Sequence, residues 1–484
     1  MFVAVSIMLA GCERADDPNR VDVSLIGPAP RLGDPDREAL DPSRSFLMRE
    51  TAMGLVAFDA NGQIEPALAE SWIVTDDGRG IVFRIQRRKW RDGREVTGDD
   101  VAASLNRSLG SKSENRLKPL LSAVNGVVGM TGRVVELRLN APRPNLLQLL
   151  AQPELGIRRK GTGLGPWRIR GKEGDALVLD SVHDATDDNL EEAPAALREV
   201  HVKSGRAALA VARFIHDRSD LVLGGTLADW PIVQAANLTR RDRIRLDDVQ
   251  GLFGLAIMAR APFLKERALR HALAMAVDRE ALAEGLALPR WSATDRLLPT
   301  QLDSGQPTSA PDWAGNNLND RRALARQRIA EWKRARGPID PVRVAMPDGP
   351  GMRALFARLA ADWRAIGVLA VAVPLSDRDA DLRLIDEIAP NNSANWYLTR
   401  TGCEYGVTCS TIGNAALIES RAAPSLGQRS AAIARADAAY SEHGGYIPLG
   451  KPFRWSLVSP VLTLYRDNSF GAHPLSHLRV SARP

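Results

Sequence analysis

The order of helix-like and strand-like segments in the second half of the chain limits its fold more than any other feature. Apolar residues recur at helical spacing over residues 321–336, 352–366 and 428–442. Short apolar runs that suit strands lie between them, over residues 341–346, 368–373 and 381–385. Helices that alternate with strands in this way indicate an α/β lobe.

The first half of the chain carries more strand patterns, which predict strands over residues 21–26, 81–86 and 134–139. The whole chain therefore suits two lobes of mixed α/β character. Glycine-containing segments near residues 251–254 and near Gly450 are the candidate points at which the chain crosses between these lobes.

Two helix starts are marked by capping residues. Thr97 is predicted to cap a helix, with Asp100 three residues later in the position of a capping box. A longer helical pattern covers residues 265–288, and Asp278 within it is predicted to cap a second, short helix.

Composition excludes several classes of protein. The chain has 484 residues, of which 44% are hydrophobic and 25% charged, so wholesale disorder and a disulfide-dense scaffold are excluded. Beyond the N-terminus, no apolar run approaches the roughly 20 residues that a membrane span needs.

The net charge is +6, and the most basic stretch, residues 84–94, fits either a phosphate-binding strip or a solvated strand and turn. No nucleic-acid-binding motif accompanies it, so we expect no nucleic-acid partner.

The N-terminus predicts the cellular compartment. A short apolar stretch over residues 2–9 leads into the sequence LAGC, which ends at Cys12. It resembles the lipobox of bacterial lipoproteins, in which the cysteine is acylated, and the alternative is a chance LAGC in a buried segment. We expect residues 1–12 to be a lipoprotein signal segment, residues 13–20 a tether, and the protein to be periplasmic and lipid-anchored to a membrane of the bacterial cell envelope. No Lys or Arg precedes Cys12, so we expect the true start to lie upstream.

The other two cysteines are Cys403 and Cys409. In an oxidising compartment such a pair would close a small loop through a disulfide, whereas the alternative is two separate buried thiols. A metal site would need two further ligands, and the neighbouring sequence supplies none at suitable spacing. We therefore predict a disulfide and no bound metal.

Signatures of catalysis are missing from the sequence. No G-x-S-x-G elbow, H-E-x-x-H pair or P-loop occurs. The glycine-rich run at residues 161–165 precedes a predicted strand rather than a helix, so it favours a structural turn over an anion site. His473 and His477 are separated by Pro474, which argues against a shared helical face. We predict no enzyme activity and no cofactor.

Several segments, in order along the chain, resemble one protein family. Residues 54–59 (GLVAFD), 62–72 (GQIEPALAESW) and 76–78 (DDG) are similar to the opening of family 5 extracellular solute-binding proteins, the peptide- and nickel-type receptors of ABC importers. The resemblance continues at residues 83–85, 90–93, 97–101, 163–167, 265–282 and 446–449. It covers most of residues 20–484, and P-x-L-A-E-S-W followed by D-D-G is its most specific part.

The resemblance implies an α/β, bilobed periplasmic-binding-protein fold of the large class II type, with two hinge strands and an extra inserted subdomain. Lobe I would comprise residues 21–45, 159–253 and 451–484, the inserted subdomain residues 46–158, and lobe II residues 254–450. A small peptide-like solute would bind between the lobes, which close by hinge motion. The implied protein is a monomeric substrate-binding lipoprotein that delivers this solute to an ABC permease in the inner membrane. A second hypothesis is an envelope lipoprotein that keeps the fold as a scaffold or sensor without transport.

The resemblance also implies a ligand site. Peptide-binding relatives have a Trp-containing segment in lobe II with an Asp that pairs with the ligand's α-ammonium group. Here Trp396 is present, but Thr399 or Arg400 stands where the Asp is expected, and Arg400 favours an anionic ligand end. The alternative is that Trp396 belongs to the core and Arg400 is solvated. The predicted ligand-binding residues are Asn395, Trp396, Tyr397, Arg400, Lys451 and Phe453.

Overall fold

A computed structural model describes residues 20–182, 195–236, 238, 243–300, 302 and 305–481 of the protein. Its strands, in chain order, are β1 Arg20–Ile26, β2 Val56–Phe58, β3 Ile64–Pro66, β4 Ala69–Val74, β5 Gly80–Ile85, β6 Val124–Thr131, β7 Val134–Leu139, β8 Arg158–Arg159, β9 Thr162–Gly163, β10 Trp167–Glu173, β11 Ala176–Ser181, β12 Ala195–Ala196, β13 Glu199–Gly205, β14 Leu221–Thr226, β15 Ile244–Asp247, β16 Gly251–Ile257, β17 Val342–Met346, β18 Ala370–Pro374, β19 Leu382–Ile388, β20 Tyr446–Gly450, β21 Arg454–Val458, β22 Leu462–Thr463 and β23 Arg479–Val480. Its helices are α1 Pro42–Thr51, α2 Gly98–Leu109, α3 Leu146–Leu150, α4 Ala207–Ile215, α5 Trp230–Ala235, α6 Arg267–Ala276, α7 Arg279–Gly285, α8 Leu318–Arg336, α9 Pro350–Arg364, α10 Ala394–Arg400, α11 Thr411–Ala422 and α12 Leu426–His443. No helix in these ranges has both the length and the apolar composition needed to cross a membrane.

Lobe I is built on a seven-stranded sheet in the order β10-β11-β13-β1-β14-β21-β15. At its centre, β1 pairs in parallel with β13 and β14. The buried residues Val21, Val23 and Leu25 of β1 share one hydrophobic cluster with Phe46 and Leu47 of α1. Phe46 and Leu47 therefore pack with the lobe I sheet, and the inserted subdomain begins after Leu47 rather than at residue 46 as predicted.

Lobe II is built on a five-stranded sheet in the order β18-β17-β19-β16-β20. β17, β18 and β19 are parallel, whereas β16 and β20 run antiparallel to their neighbours. Helices pack against this sheet, and the fully buried Trp363 of α9 donates its indole N–H to the carbonyl of Leu273 at 3.1 Å. The predicted alternation of helices and strands in this half of the chain is confirmed.

The inserted subdomain contains a four-stranded antiparallel sheet in the order β4-β5-β7-β6. Its core joins Phe83 and Leu137 of the sheet to Leu105 of α2. α2 begins at the predicted capping box: the Asp100 N–H donates to Thr97 Oγ1, and the Thr97 N–H donates to Asp100 Oδ2, both at 3.2 Å.

Two short segments join the lobes. Residues 248–250 connect β15 of the first sheet to β16 of the second, and residues 451–453 connect β20 back to β21. β16 pairs with β19 over its whole length, from Gly251 onward. Residues 251–253 thus belong to lobe II, not to lobe I as predicted, because their backbone hydrogen bonds are made in the second sheet. These two segments are the hinges.

Candidate ligand-binding cleft

A cavity of about 730 Å³ lies between the two lobes. Lobe I contributes the carboxyl ends of β1 and β14 and one face of α1, while lobe II contributes the carboxyl end of β19 and part of α10. Ligands of α/β proteins commonly bind at the carboxyl ends of parallel strands. The volume also falls within the range of about 300–1,000 Å³ that is usual for small-molecule sites. We therefore take this cavity, called the cleft below, as the candidate ligand site.

A second cavity, of about 1,100 Å³, lies outside the cleft. Its lining comes from α1, the segment at residues 161–169, the C-terminal residues 474–479 and the inserted subdomain. All of these lie on one side of the hinges, so motion between the lobes neither opens nor closes this cavity. It is larger than the cleft but lacks the feature that a two-lobed binding site requires, namely a wall from each lobe.

The lobe II wall of the cleft carries an ion-pair cluster centred on Glu387. Arg400 donates two hydrogen bonds to it, from Nε to Oε2 at 2.9 Å and from Nη2 to Oε1 at 2.6 Å. Arg116 of the inserted subdomain donates to the same carboxylate at 3.3 Å. The Arg400 guanidinium also lies 4.8 Å from the ring centroid of Tyr405. Two parallel bonds between Arg and a carboxylate are a strong and geometrically specific contact.

The pKa shifts of this pair agree with its geometry. Burial raises the pKa of Glu387, but the hydrogen bonds and charge of Arg400 outweigh burial, and the net pKa lies below its ordinary value. Burial lowers the pKa of Arg400, and its bonds to Glu387 raise it by more, so the net pKa is raised. Each group therefore stabilises the charged form of the other.

A second ion pair joins the lobes near a hinge. Arg454 of β21 donates from Nη1 to Oδ1 of Asp386 at 2.7 Å and from Nη2 to the backbone carbonyl of Asp386 at 3.1 Å. β21 belongs to the lobe I sheet and β19, which carries Asp386, to the lobe II sheet. The side chains are only 15% and 12% exposed, so solvent screens this contact weakly.

At one edge of the cleft, three amide side chains connect the inserted subdomain to lobe II. Asn145 Nδ2 donates to the carbonyl of Asn392, and Gln152 Nε2 donates to the carbonyl of Pro390, both at 2.7 Å. The backbone N–H of Asn392 donates to Gln148 Oε1, also at 2.7 Å. We call these three contacts the amide latch. With the latch and both ion pairs formed, the two lobes are closed on each other.

The predicted ligand-binding residues do not form one surface. Trp396 and Arg400 both line the cleft. Trp396 is 8% exposed, so much of its ring packs in the lobe II core. Arg400 is only 17% exposed, and Glu387 already pairs with its guanidinium through two hydrogen bonds.

The other four predicted residues lie away from the cleft wall. Tyr397 has no exposed surface, and Asn395 is 7% exposed. Phe453 is buried in the largest hydrophobic cluster. Lys451 lies in the second hinge, where its Nζ pairs with Asp248 of the first hinge at 3.1 Å. In this closed arrangement these four residues have no direct access to a ligand in the cleft.

The acidic part of the site was missed in the sequence. Asp386 and Glu387 directly follow the predicted strand at residues 381–385, which the structure extends to Ile388. The resemblance places the carboxylate of peptide-binding relatives in the segment around Trp396, whereas Asp386 and Glu387 of this cleft come from β19. Two acidic residues at the carboxyl end of a buried parallel strand are a signal that could have identified them.

Cys403 and Cys409 form a disulfide with Cα atoms 5.3 Å apart. The loop that it closes contains Tyr405, whose ring lies against Arg400. The disulfide therefore restricts a loop that borders the cleft. Cys12, the predicted lipidation site, lies outside the described residues. Within the described ranges, no three His, Cys, Asp or Glu side chains are grouped so that they could hold a metal ion.

Comparison with known families identifies the chain. The family described as bacterial extracellular solute-binding proteins, family 5, matches residues 63–412, which is well over half of the sequence. The protein belongs to this family. Family 5 solute-binding proteins are transport receptors rather than enzymes, which agrees with the missing catalytic signatures.

Individual curated relatives match the chain at low sequence identity and over only part of its length. The probable deoxycholate-binding periplasmic protein YgiS of Escherichia coli (strain K12) is 28% identical over 144 residues, which are 25% of this chain and 27% of that protein. The chain thus matches about a quarter of the length of this curated relative.

Solved structures share the fold over nearly the whole chain. The murein tripeptide binding protein MppA of Escherichia coli has a TM-score of 0.80 at 16% identity, covering 96% of this chain and 99% of MppA. Haemophilus influenzae OppA in complex with RPPGFSPFR has a TM-score of 0.78 at 17% identity, with the same shares of each chain covered. The predicted bilobed periplasmic-binding-protein fold is confirmed.

Proposed function

We propose that this protein is the substrate-binding component of an ABC importer and that it captures a small peptide-like solute between its lobes. The observation that carries the proposal is the cavity of about 730 Å³ to which both lobes contribute walls. Membership of a solute-binding family supports a binding role. MppA binds a murein tripeptide and OppA was solved with the peptide RPPGFSPFR, which supports a peptide-like ligand.

The charges of the cleft suit a ligand that carries both signs. Its lining includes four arginines and four acidic residues, which are Arg49, Arg116, Arg400, Arg454, Glu154, Asp247, Asp386 and Glu387. A short peptide has a cationic amino end, an anionic carboxyl end and backbone groups that form hydrogen bonds. We propose that the cationic end binds beside the carboxylates of β19, where it competes with Arg400, Arg116 and Arg454 for them, in place of the Asp that this chain lacks near Trp396.

Closure follows from the position of the hinges. Residues 248–250 and 451–453 are the two hinges, and the amide latch lies on the inserted subdomain and lobe II. A solute that contacts both lobes gains its full set of contacts only when they are closed, so binding shifts the population toward the closed form. The permease can then recognise the loaded protein by its shape.

We further propose that Cys12 is acylated, with residues 13–20 as a tether, so that the protein is held at a membrane of the cell envelope close to its permease. We propose that the chain divides into lobe I, an inserted subdomain that begins after Leu47, and a lobe II that begins at Gly251. We propose that the protein acts as a monomer, because the ligand site is complete within one chain.

One experiment tests the anchor and the ligand together. Wild-type protein expressed in its own host, with any upstream coding sequence included, is expected in the membrane fraction, and Cys12→Ala protein in the soluble periplasmic fraction. Native mass spectrometry of the Cys12→Ala protein should then show a retained small molecule that fragments as a peptide. Equal membrane retention of both forms would contradict the anchor.

Native mass spectrometry of the retained molecule tests the binding function. A retained molecule without amide-linked residues would contradict the peptide-like class. A protein that retains nothing, in a host whose solute uptake is unchanged when the gene is deleted, would contradict transport and favour the scaffold or sensor hypothesis.

A further inference from the structure

One cation in the cleft differs from the others. Arg116 and Arg400 pair with Glu387, and Arg454 pairs with Asp386. Arg49 of α1 lines both the cleft and the second cavity, and its guanidinium has no hydrogen-bond or ion-pair partner among the described residues. It is half-buried, so it has lost part of its hydration without gaining a protein partner.

The carboxylates around Arg49 do not satisfy it. Glu50 and Glu154 act on its charge only through space, without a direct contact. Burial lowers the pKa of Arg49 by more than these two carboxylates raise it. A guanidinium carries five N–H donors in a planar fork that matches a carboxylate or phosphate group. The Arg49 guanidinium therefore has unused donors beside α1, where the cleft and the second cavity meet this helix.

A second unsatisfied group lies on the same helix. Ser43 lines the cleft, is only 1% exposed, and its Oγ has no hydrogen-bond partner within the described part of the chain. A buried hydroxyl without a partner is costly, and a bound ligand that accepts its hydrogen bond would remove this cost.

We propose that Arg49 and Ser43 form a subsite on lobe I for an anionic oxygen-bearing group of the bound solute. The subsite rests on the proposed binding function and narrows it: the solute carries a carboxylate or similar oxyanion, held by lobe I. This subsite replaces Arg400 as the contact for the anionic end, because Glu387 already neutralises Arg400.

The test is a competition read by native mass spectrometry on the full chain carrying Cys12→Ala, after dialysis to remove bound solute. The pool contains di- to tetrapeptides with neutral side chains, each as the C-terminal acid and the C-terminal amide, and acid–amide pairs of non-peptide carboxylates. We expect the parent protein to retain acids over amides by about ten-fold or more, since a charge-assisted contact is lost in the amide. Arg49→Gln should remove this preference, and Arg49→Lys should restore part of it.

Arg37→Gln is the matched control. It removes the same charge from an arginine just before α1 whose side chain is 85% exposed and does not line the cleft. This variant should keep the full preference for acids. Ligand-free Arg49→Gln should also unfold at a temperature no lower than the parent protein, since burial disfavours the charge of Arg49 by more than Glu50 and Glu154 favour it.

Each outcome separates the subsite from the proposed function. Peptides retained with the same acid preference in Arg49→Gln as in the parent would overturn the subsite and leave peptide binding intact. Non-peptide acids retained with an Arg49-dependent preference would support the subsite and contradict the peptide-like class. A parent protein that retains no acid from the pool would overturn the subsite.

Discussion

Replacing Glu387 with glutamine is expected to lower the free energy of unfolding by about 3 kcal/mol. Glutamine keeps the shape of the side chain but removes the charge that Arg400 and Arg116 share. Arg400 is 17% exposed, so it would remain as an uncompensated and largely buried cation. Removing one partner of a buried pair typically costs about 3–5 kcal/mol, and the partial exposure places this case at the lower end. Denaturant titration of the ligand-free protein measures the loss.

Glu136→Gln is the matched control for this prediction. Glu136 pairs with Arg138 at 2.8 Å, but Arg138 is 53% exposed, and such surface pairs contribute about 0–1 kcal/mol. We expect its substitution to change the free energy of unfolding little. Similar losses for the two variants would show that the cluster at Glu387 has no special role in stability. A second variant, Glu387→Gln with Arg400→Met, should recover most of the loss, because the only cation of the cluster then left without its carboxylate is Arg116, which is 43% exposed.

Replacing Glu50 with glutamine is expected to stabilise the protein by about 3 kcal/mol at pH 8 and hardly at all at pH 4. Glu50 is 1% exposed, and burial raises its pKa from 4.5 to about 7 despite Arg49, the Leu475 N–H and His477, which lower it. The folded state therefore binds a proton more tightly than the unfolded state does. The protonated Glu50 side chain therefore contributes stability that is fully present below about pH 4.5 and is lost as the pH rises through about 7.

The size of this effect follows from linkage. One pKa unit corresponds to about 1.4 kcal/mol, so ionising Glu50 in the folded protein costs about 3 kcal/mol. Glutamine resembles the protonated acid and cannot ionise, so the variant should lack the decline in stability between pH 5 and 8 that Glu50 causes. Glu173→Gln, at a side chain that is 55% exposed, serves as the control. An equal gain or loss for Glu50→Gln at pH 4 and pH 8 would contradict the raised pKa.

Features that depend on neighbouring residues could be predicted from the sequence. The capping box of Thr97 and Asp100 involves one turn of chain, and Asp278 likewise accepts a hydrogen bond from the N–H of Ala281 at 3.0 Å. Helix and strand periods are local in the same sense, so the α/β alternation could be predicted as well. The order of strands could not, because β16 pairs with β20, which lies almost two hundred residues later.

The site could be predicted only in part, because its contacts join distant elements. Trp396 and Arg400 of α10 do reach the cleft. The partner of Arg400 is Glu387, which comes from strand β19, and no local sequence pattern specifies this pairing. Tyr397 and Phe453 were expected at the cleft as aromatic residues in the right segments. Their large apolar surfaces are instead buried in the core, where aromatic side chains contribute most to stability.

Closure of the two lobes over a solute is the central claim, and small-angle X-ray scattering tests it most directly. The Cys12→Ala protein carrying its retained solute should have a smaller radius of gyration than the same protein after the solute is removed. Returning the solute should restore the smaller value, and Gln148→Ala with Asn145→Ala, which removes two of the three latch contacts, should weaken this restoration. An identical radius of gyration with and without a solute that native mass spectrometry shows to be bound would contradict the claim.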